Sequence, residues 1–316
     1  MSTYWHLLQL ILPVFAVIAI GAGLRRAGWL GAEADNSLLK IVVGYFYPCL
    51  IFDSVMGNAA LRDPANLVLA PLTGFVATAG GIVIAFYAGK AMGLTIGGGL
   101  RTFAFAAGIY NYGYIPVPLM ESLFGKESLG LLLVHNAGCE AALWTVGILM
   151  LSGLSPREGW RKLINPPVCA LVAALLINTL HLSHLVPGVV RETIRMSAAC
   201  AIPLGLVLIG ATLVEFLQKP RELFDVKTGL GSILLRLGAL PLLMLVCARW
   251  LPCSIDLKRV LVVQAAMPAA ILPIVIARHY GGRPLVAVQV VFATSAVGIF
   301  LIPLWMGFGL KWVIGE

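Results

Sequence analysis

Hydrophobic residues make up 60% of the 316-residue chain and charged residues 11%, with a mean hydropathy of +0.96. That excludes an ordinary water-soluble domain, which carries about a quarter of its residues as charges. The formal net charge of +8 fits basic loops against an anionic leaflet, and no basic cluster interleaves with aromatics as nucleic-acid binding would require.

A membrane-crossing helix needs about 20 mostly apolar residues. On that measure the sequence predicts an all-α integral membrane protein of ten spans, at 8–27, 36–56, 67–90, 100–124, 127–151, 165–182, 191–215, 228–250, 256–280 and 284–311. The opening residues, MSTYWHLLQL, lack the basic region and cleavage site of a secretion signal, so the first run reads as a retained helix. Ten spans put both termini on one side. If that side is outer, the inner loops hold thirteen basic residues, among them Arg25, Arg26, Arg157, Arg161, Lys162, Lys219 and Arg221, against eight outside. The excess predicts termini on the non-cytoplasmic side. The six cysteines form no CxxC pair and read as small buried hydrophobes, with no metal site or cofactor.

Landmarks recur at a nearly constant offset. Pro13 answers to Pro167 (154 apart), Pro48 to Pro203 (155), Pro64 to Pro220 (156), and Phe124-Gly125 to Tyr280-Gly281 (156). The chain therefore reads as a first five-helix repeat over 1–151, an inner linker over 152–164 and a second repeat over 165–316. Because five is odd, the second repeat enters the membrane from the opposite side. Inverted repeats of this kind build many secondary transporters.

The fourth span carries NYGYIPVPLM, Asn111 to Met120, and the ninth carries QAAMPAAILP, Gln264 to Pro273. Proline has no amide proton and its ring clashes with the carbonyl four residues back. Pro116 and Pro118 in one span, and Pro268 and Pro273 in the other, thus predict two broken helices. Unpaired backbone survives in hydrocarbon only where protein, water or ligand satisfies it. Two breaks in inverted halves are expected to cross near the midplane and present partial positive charge to an anion. The candidate substrate residues are Asn111, Tyr112, Gly113, Tyr114, Pro116, Pro118, Gln264, Met267, Pro268 and Pro273. The alternative is that the prolines only kink packed helices.

These segments resemble the auxin efflux carrier family, whose bacterial members include organic-acid permeases. Asn111, Gly113, Tyr114 and Pro118 match the family's fourth-span pattern. Ala265, Ala266, Met267, Pro268, Ala277, Tyr280 and Gly281 match its ninth-span pattern, and YPCLIF and IPLGLVLIGATL look like its second- and seventh-span motifs. The resemblance implies a bacterial inner-membrane carrier whose helices 4 and 9 cross around the substrate. It implies a scaffold of helices 1, 2, 6 and 7, often a homodimer, against which helices 3–5 and 8–10 move like an elevator. Tyr110, Tyr112 and Pro116 depart from the pattern by replacing small or glycine residues.

A charge inside the membrane costs about 2.5–3.5 kcal/mol on insertion scales, which makes each one a functional candidate. Glu140 lies near the centre of the fifth span, with Asn136 and His135 on the same broad helical face. Glu140 is the expected site of a coupling proton, shaped by Asn136 or His135, with a structural carboxylate as the alternative. Arg236, in the eighth span, is expected to face a substrate carboxylate, pair with Glu140, or reach to the interface. The loops show no enzyme motif, and the polarity is too concentrated for a continuous channel lining. The expectation is a proton-coupled carrier for a small organic anion, held in membrane lipid. A sodium-coupled symporter or a cation/proton antiporter of similar build is the alternative.

Overall fold

The computed structural model of the chain describes residues 2–153, 164–217 and 225–315. Most of the predicted inner linker lies outside them, as do Arg157, Arg161, Lys162, Lys219, Pro220 and Arg221. The described chain is helical throughout: α1 (Ser2–Arg26), α2 (Ala34–Val55), α3 (Pro64–Ala91), α4 (Leu100–Gly108), α5 (Pro116–Ser152), α6 (Pro166–Thr179), α7 (Gly188–Leu217), α8 (Val226–Trp250), α9 (Ile255–Ala265), α10 (Leu272–His279) and α11 (Pro284–Ile314).

Among the described residues, 7 helices are long and apolar enough to cross a membrane: α1, α2, α3, α5, α7, α8 and α11. The remaining predicted spans have other shapes. The sixth is the shorter α6, and the ninth is divided between α9 and α10. The fourth is α4 followed by the first turns of α5, which runs on into the fifth span across a non-helical Gly125. At a φ of 76° Gly125 takes a backbone conformation open to glycine and costly for other residues, and Gly281 after α10 has a φ of 72°. The Phe124-Gly125 and Tyr280-Gly281 landmarks are thus two equivalent helix ends.

Polar residues mark the helix starts in this apolar sequence. Asp63 accepts from the Ala65 N–H ahead of α3, Asn165 from Val168 ahead of α6, Asp225 from Thr228 ahead of α8, and Ser254 from Leu257 ahead of α9. Wide π turns at Val42–Phe46 in α2 and Leu235–Ala239 in α8 each end two residues before a proline, Pro48 and Pro241. The wide turn makes room for the proline ring near the carbonyl four residues back. In α8 that carbonyl belongs to Leu237, and the Trp305 indole N–H donates to it at 2.6 Å.

The helices pack in two groups. In one, α1 lies along α7, α6 along α2, and α2 along α7. In the other, α3 packs on α4 and α5, α5 on α9, and α11 on α8 and α4. Apolar side chains meet lipid as readily as each other, so close backbone approach has to supply the packing energy. Glycines allow it: Gly21 and Gly210 at the α1–α7 crossing, Gly74 and Gly138 between α3 and α5, and Gly81 against Gly108 between α3 and α4. All six cysteines are free thiols, but only Cys139 is fully buried. Cys169 and Cys247 are exposed, which corrects the expectation of buried hydrophobes: an outward face in lipid is apolar too.

A methyl group at Gly138 on α5 would overlap the Pro71 carbonyl of α3, whereas one at Gly80 on α3 meets open space. Gly138→Ala should therefore lower the thermal unfolding midpoint in detergent, an overpacking cost of about 1–3 kcal/mol. Gly80→Ala in the same assay should leave the midpoint unchanged or slightly raised.

Candidate functional site

The two breaks cross. After α4 ends at Gly108 and α9 at Ala265, residues 109–115 and 266–271 leave the helix before α5 and α10 begin, each with a short extended stretch between turns. They meet antiparallel at Tyr110 and Ala269. The Asn111 N–H donates to the Pro268 carbonyl at 2.7 Å, and the Ala270 N–H to the Ile109 carbonyl at 3.0 Å. The Ala269 N–H reaches the Thr294 hydroxyl at 3.2 Å. Asn111 Oδ1 lies 3.5 Å from the Ile115 N–H, at the limit of a hydrogen bond.

The prolines stand at the start of the second half-helices rather than inside the breaks. Pro116 opens α5 and Pro273 is the second residue of α10, positions where an amide proton would be unpaired in any case. Pro268 alone sits in an extended stretch. The breaks themselves are made by the crossing strands, with Pro116 excluding Tyr112 from the helix ladder behind it. The freed Tyr112 carbonyl accepts from Gln264 Nε2 at 3.3 Å, and the same nitrogen donates to Asn136 Oδ1 at 3.0 Å. Asn136 Nδ2 and Gln264 Oε1 are buried there with no protein partner, and no hydrogen bond of the described residues uses the N–H groups of the half-buried Gly113 and Tyr114 ahead of α5. Met267 is fully buried behind them.

Two ionisable groups stand at the crossing without pairing, Arg236 at Tyr110 and Glu140 at Tyr112. Arg236 is fully buried, donates from Nη1 to the Gly108 carbonyl at 3.2 Å, and lies 5.4 Å over the Tyr110 ring. It faces the C-terminal, partially negative end of α4. It does not reach an interface, and none of the ion pairs of the described residues includes it or Glu140. Those findings correct two of the three readings offered by its sequence position. Glu140 is half-buried and accepts from the Tyr112 hydroxyl at 2.6 Å and from the Trp144 indole at 2.8 Å.

Asn136 and His135 do not hydrogen-bond Glu140. Asn136 turns to Gln264, and His135 turns to α3. The Thr73 hydroxyl donates to the Ala70 carbonyl at 2.8 Å, so it can only accept from His135 Nδ1, 3.2 Å away. With that tautomer set, His135 Nε2 receives the Tyr110 hydroxyl at 2.9 Å, and Cys139 Sγ lies 3.0 Å from the same hydroxyl. The Tyr114 ring packs on Gly205 of α7 and stands 6.4 Å from the Tyr47 ring of α2. Tyr47 and Trp144 were not foreseen as site residues. Trp144 had a legible signal, four residues after Glu140 and so one helical turn along. Tyr47 had none.

The family profile described as "Membrane transport protein" matches residues 6–158 and, a second time, residues 154–306. An "Uncharacterized transporter" of Methanothermobacter thermautotrophicus is 26% identical over 310 residues, 94% of this chain and 96% of that protein. One from Methanocaldococcus jannaschii is 20% identical over 306 residues, 94% of this chain and 97% of that protein. One from Schizosaccharomyces pombe is 31% identical over 124 residues, 38% of this chain and 27% of that protein.

Gln264→Leu removes the amide that joins the crossing to α5 and leaves Tyr112 and Asn136 acceptors buried without donors. Each such group costs about 1–3 kcal/mol, and the unfolding midpoint should fall accordingly. In a double-mutant cycle with Asn136→Ala, the coupling should be about 0.5–3 kcal/mol. Additive losses would show that the two amides do not interact.

Proposed function

The chain belongs to the auxin efflux carrier family of membrane transport proteins, and on that premise we propose that it is a secondary carrier for a small organic anion, a carboxylate, driven by a proton gradient. The observation that carries this reading is the crossing itself, which leaves the Gly113 and Tyr114 amides without a hydrogen-bond partner ahead of α5 and has a buried Arg236, in no ion pair of the described residues, against the Tyr110 ring. Amides at a helix start and a cation in low dielectric favour a negative guest. Asn111, Tyr112, Gly113, Tyr114, Pro116, Pro118, Gln264, Met267, Pro268 and Pro273 line or shape its site.

In the proposed architecture ten spans form two inverted five-helix repeats, with the broken pairs as the fourth and ninth. The reciprocal packing of α1 on α7 and α6 on α2, the paired left-handed glycines Gly125 and Gly281, and the two family matches all support it. The group of α1, α2, α6 and α7 serves as a dimeric scaffold in a bacterial inner membrane, termini outward. The remaining helices carry the site across it as an elevator.

Coupling follows from charge. With Glu140 ionised, the site holds one fixed cation and one fixed anion; protonation of Glu140 leaves Arg236 unopposed and strengthens binding of a carboxylate. By linkage the bound anion raises the proton affinity of Glu140 by the same factor. Proton and anion then travel together.

A thermal-shift screen of mono- and dicarboxylates at two pH values, with and without sodium, should find an acid that stabilises the protein more at the lower pH. In proteoliposomes an inward proton gradient should drive uptake of that acid, and Glu140→Gln should bind it while losing the gradient-dependent part of the rate. Undiminished gradient-driven uptake in Glu140→Gln would remove Glu140 from the coupling. Uptake driven by sodium alone would replace the proton.

A further inference from the structure

The turn around Gly125 is fastened to the other helix group. Just past the end of α2, Asn58 is 5% exposed, and its Nδ2 donates to three carbonyls: Ser54 at 3.0 Å, Lys126 at 3.3 Å and Glu127 at 3.0 Å. Two of the three belong to the residues that follow Gly125. Gly130, one helical turn on, is pressed so close to the Asn58 amide that a methyl group there would overlap it. On the other side Asn178 of α6 donates to the Asn58 carbonyl at 3.0 Å, tying Asn58 to its own group. Lys126 also pairs with Asp53 of α2 at 2.6 Å.

The equivalent turn around Gly281 has no such fastening among the described residues. Tyr280 stacks edge-on with Trp144, the Arg283 N–H donates to Thr102 at 2.9 Å, and Gly282 abuts Leu151 and Ala277. Every one of those partners belongs to the same helix group as Gly281. At the repeat offset of 155, Asp53 corresponds to Leu208 and Asn58 to Leu213, neither of which can bond a carbonyl or a lysine.

We propose that Asn58, aided by the Asp53–Lys126 pair, is a one-sided latch that holds the site-bearing helices closed against α2 and α6 on the face shared by the ends of α2, α6 and α8. The inference rests on the carrier reading, since a latch matters only if the groups move. Asn58 dominates because it is buried, and two of its three acceptors, the Lys126 and Glu127 carbonyls, are met only when the groups are docked. The ion pair, with Lys126 54% exposed, adds little. Opening this face admits water to Asn58 and the freed carbonyls, so the latch biases the equilibrium without blocking it. With no counterpart among the described residues of the other face, the proposed resting state is open toward that other face.

The test is a distance measurement by pulsed electron resonance on the full chain in lipid nanodiscs, with the six cysteines replaced and spin labels at Val189→Cys on α7 and Trp250→Cys on α8. Both positions are exposed, at 81% and 77%, and each lies on one of the two groups at the latched face. The unaltered latch should give one dominant distance. Asn58→Ala with Lys126→Met should raise the fraction at a second, altered distance about tenfold. Asp53→Lys alone should raise it about threefold, and Asp53→Lys with Lys126→Asp should return it to the starting value. An unchanged distribution in folded Asn58→Ala/Lys126→Met overturns the latch. If that variant does not fold, an unchanged distribution in Asn58→Ala alone overturns it, and equal distributions for Asp53→Lys and the charge-swapped pair remove only the ion pair's share. The labels report geometry without any substrate. Latch-dependent distances alongside failed uptake of every tested acid would therefore sink the carrier reading alone, and unmoved distances alongside gradient-driven uptake would sink the latch alone.

Discussion

Two backbone hydrogen bonds, Asn111 N–H to Pro268 and Ala270 N–H to Ile109, hold the centre of this molecule. An unpaired peptide group in an apolar interior costs several kcal/mol, so a chain that interrupts a membrane helix must find new partners for each group it frees. Here each interrupted segment supplies partners for the other. Gln264 and Thr294 take two of the groups left over. Because the pairing is short, it ends before the next helices begin, and the amides of Gly113 and Tyr114 stay available. A longer pairing would have used them up. A single broken helix would have left too many groups without a partner to be stable.

The crossing also keeps opposite charges apart. Arg236 and Glu140 both sit inside the helical bundle, and a direct ion pair between them would neutralise the site. Tyr110 lies between Arg236 and His135, while Tyr112 holds Glu140 by its hydroxyl. The two rings stand edge to face, 6.4 Å between centroids at 87°. These are two of the three positions where the chain departs from the family pattern by adding bulk. Added bulk at the crossing therefore does more than narrow a pocket. It gives each ionisable group a neutral contact at the crossing, the Tyr112 hydroxyl for Glu140 and the Tyr110 ring and Gly108 carbonyl for Arg236, while Arg236 Nε stays without a partner.

Much of this was legible in the residues because proline, glycine and hydropathy act locally. Span positions follow from apolar run length, and the two breaks from paired prolines in equivalent segments. The location of each break was less legible. Pro116 and Pro118 drew attention to themselves, yet the interruption lies ahead of them, since a proline is as acceptable in the first turn of a new helix as it is disruptive in the middle of an old one. Side-chain partners within the site were the least legible part. Glu140, Asn136 and His135 share a broad face, but a broad face touches several neighbours, and the three diverge to Trp144, Gln264 and Thr73. Helical spacing says which residues point the same way. Only the neighbouring helices say what they meet.

Backbone symmetry and side-chain asymmetry serve different ends in such a chain. Gly125 and Gly281 end equivalent half-helices with nearly the same φ, and the two crossing strands bond reciprocally. Yet at the offset of 156 the counterpart of Arg236 is Gly80 and that of Glu140 is Ala296. On the carrier reading, a backbone that repeats with inversion would give two conformations of similar energy, as a reversible cycle requires. Were the side chains to repeat as well, each half would carry both a buried arginine and a carboxylate, doubling the desolvation cost without adding a binding mode. One charge in each copy, Glu140 in the first and Arg236 in the second, avoids that cost. Differences at the periphery, Asp53 and Asn58 against Leu208 and Leu213, can then tilt that balance by single hydrogen bonds. On the carrier reading the core decides what can bind, and the unequal edges decide which side it faces while it waits.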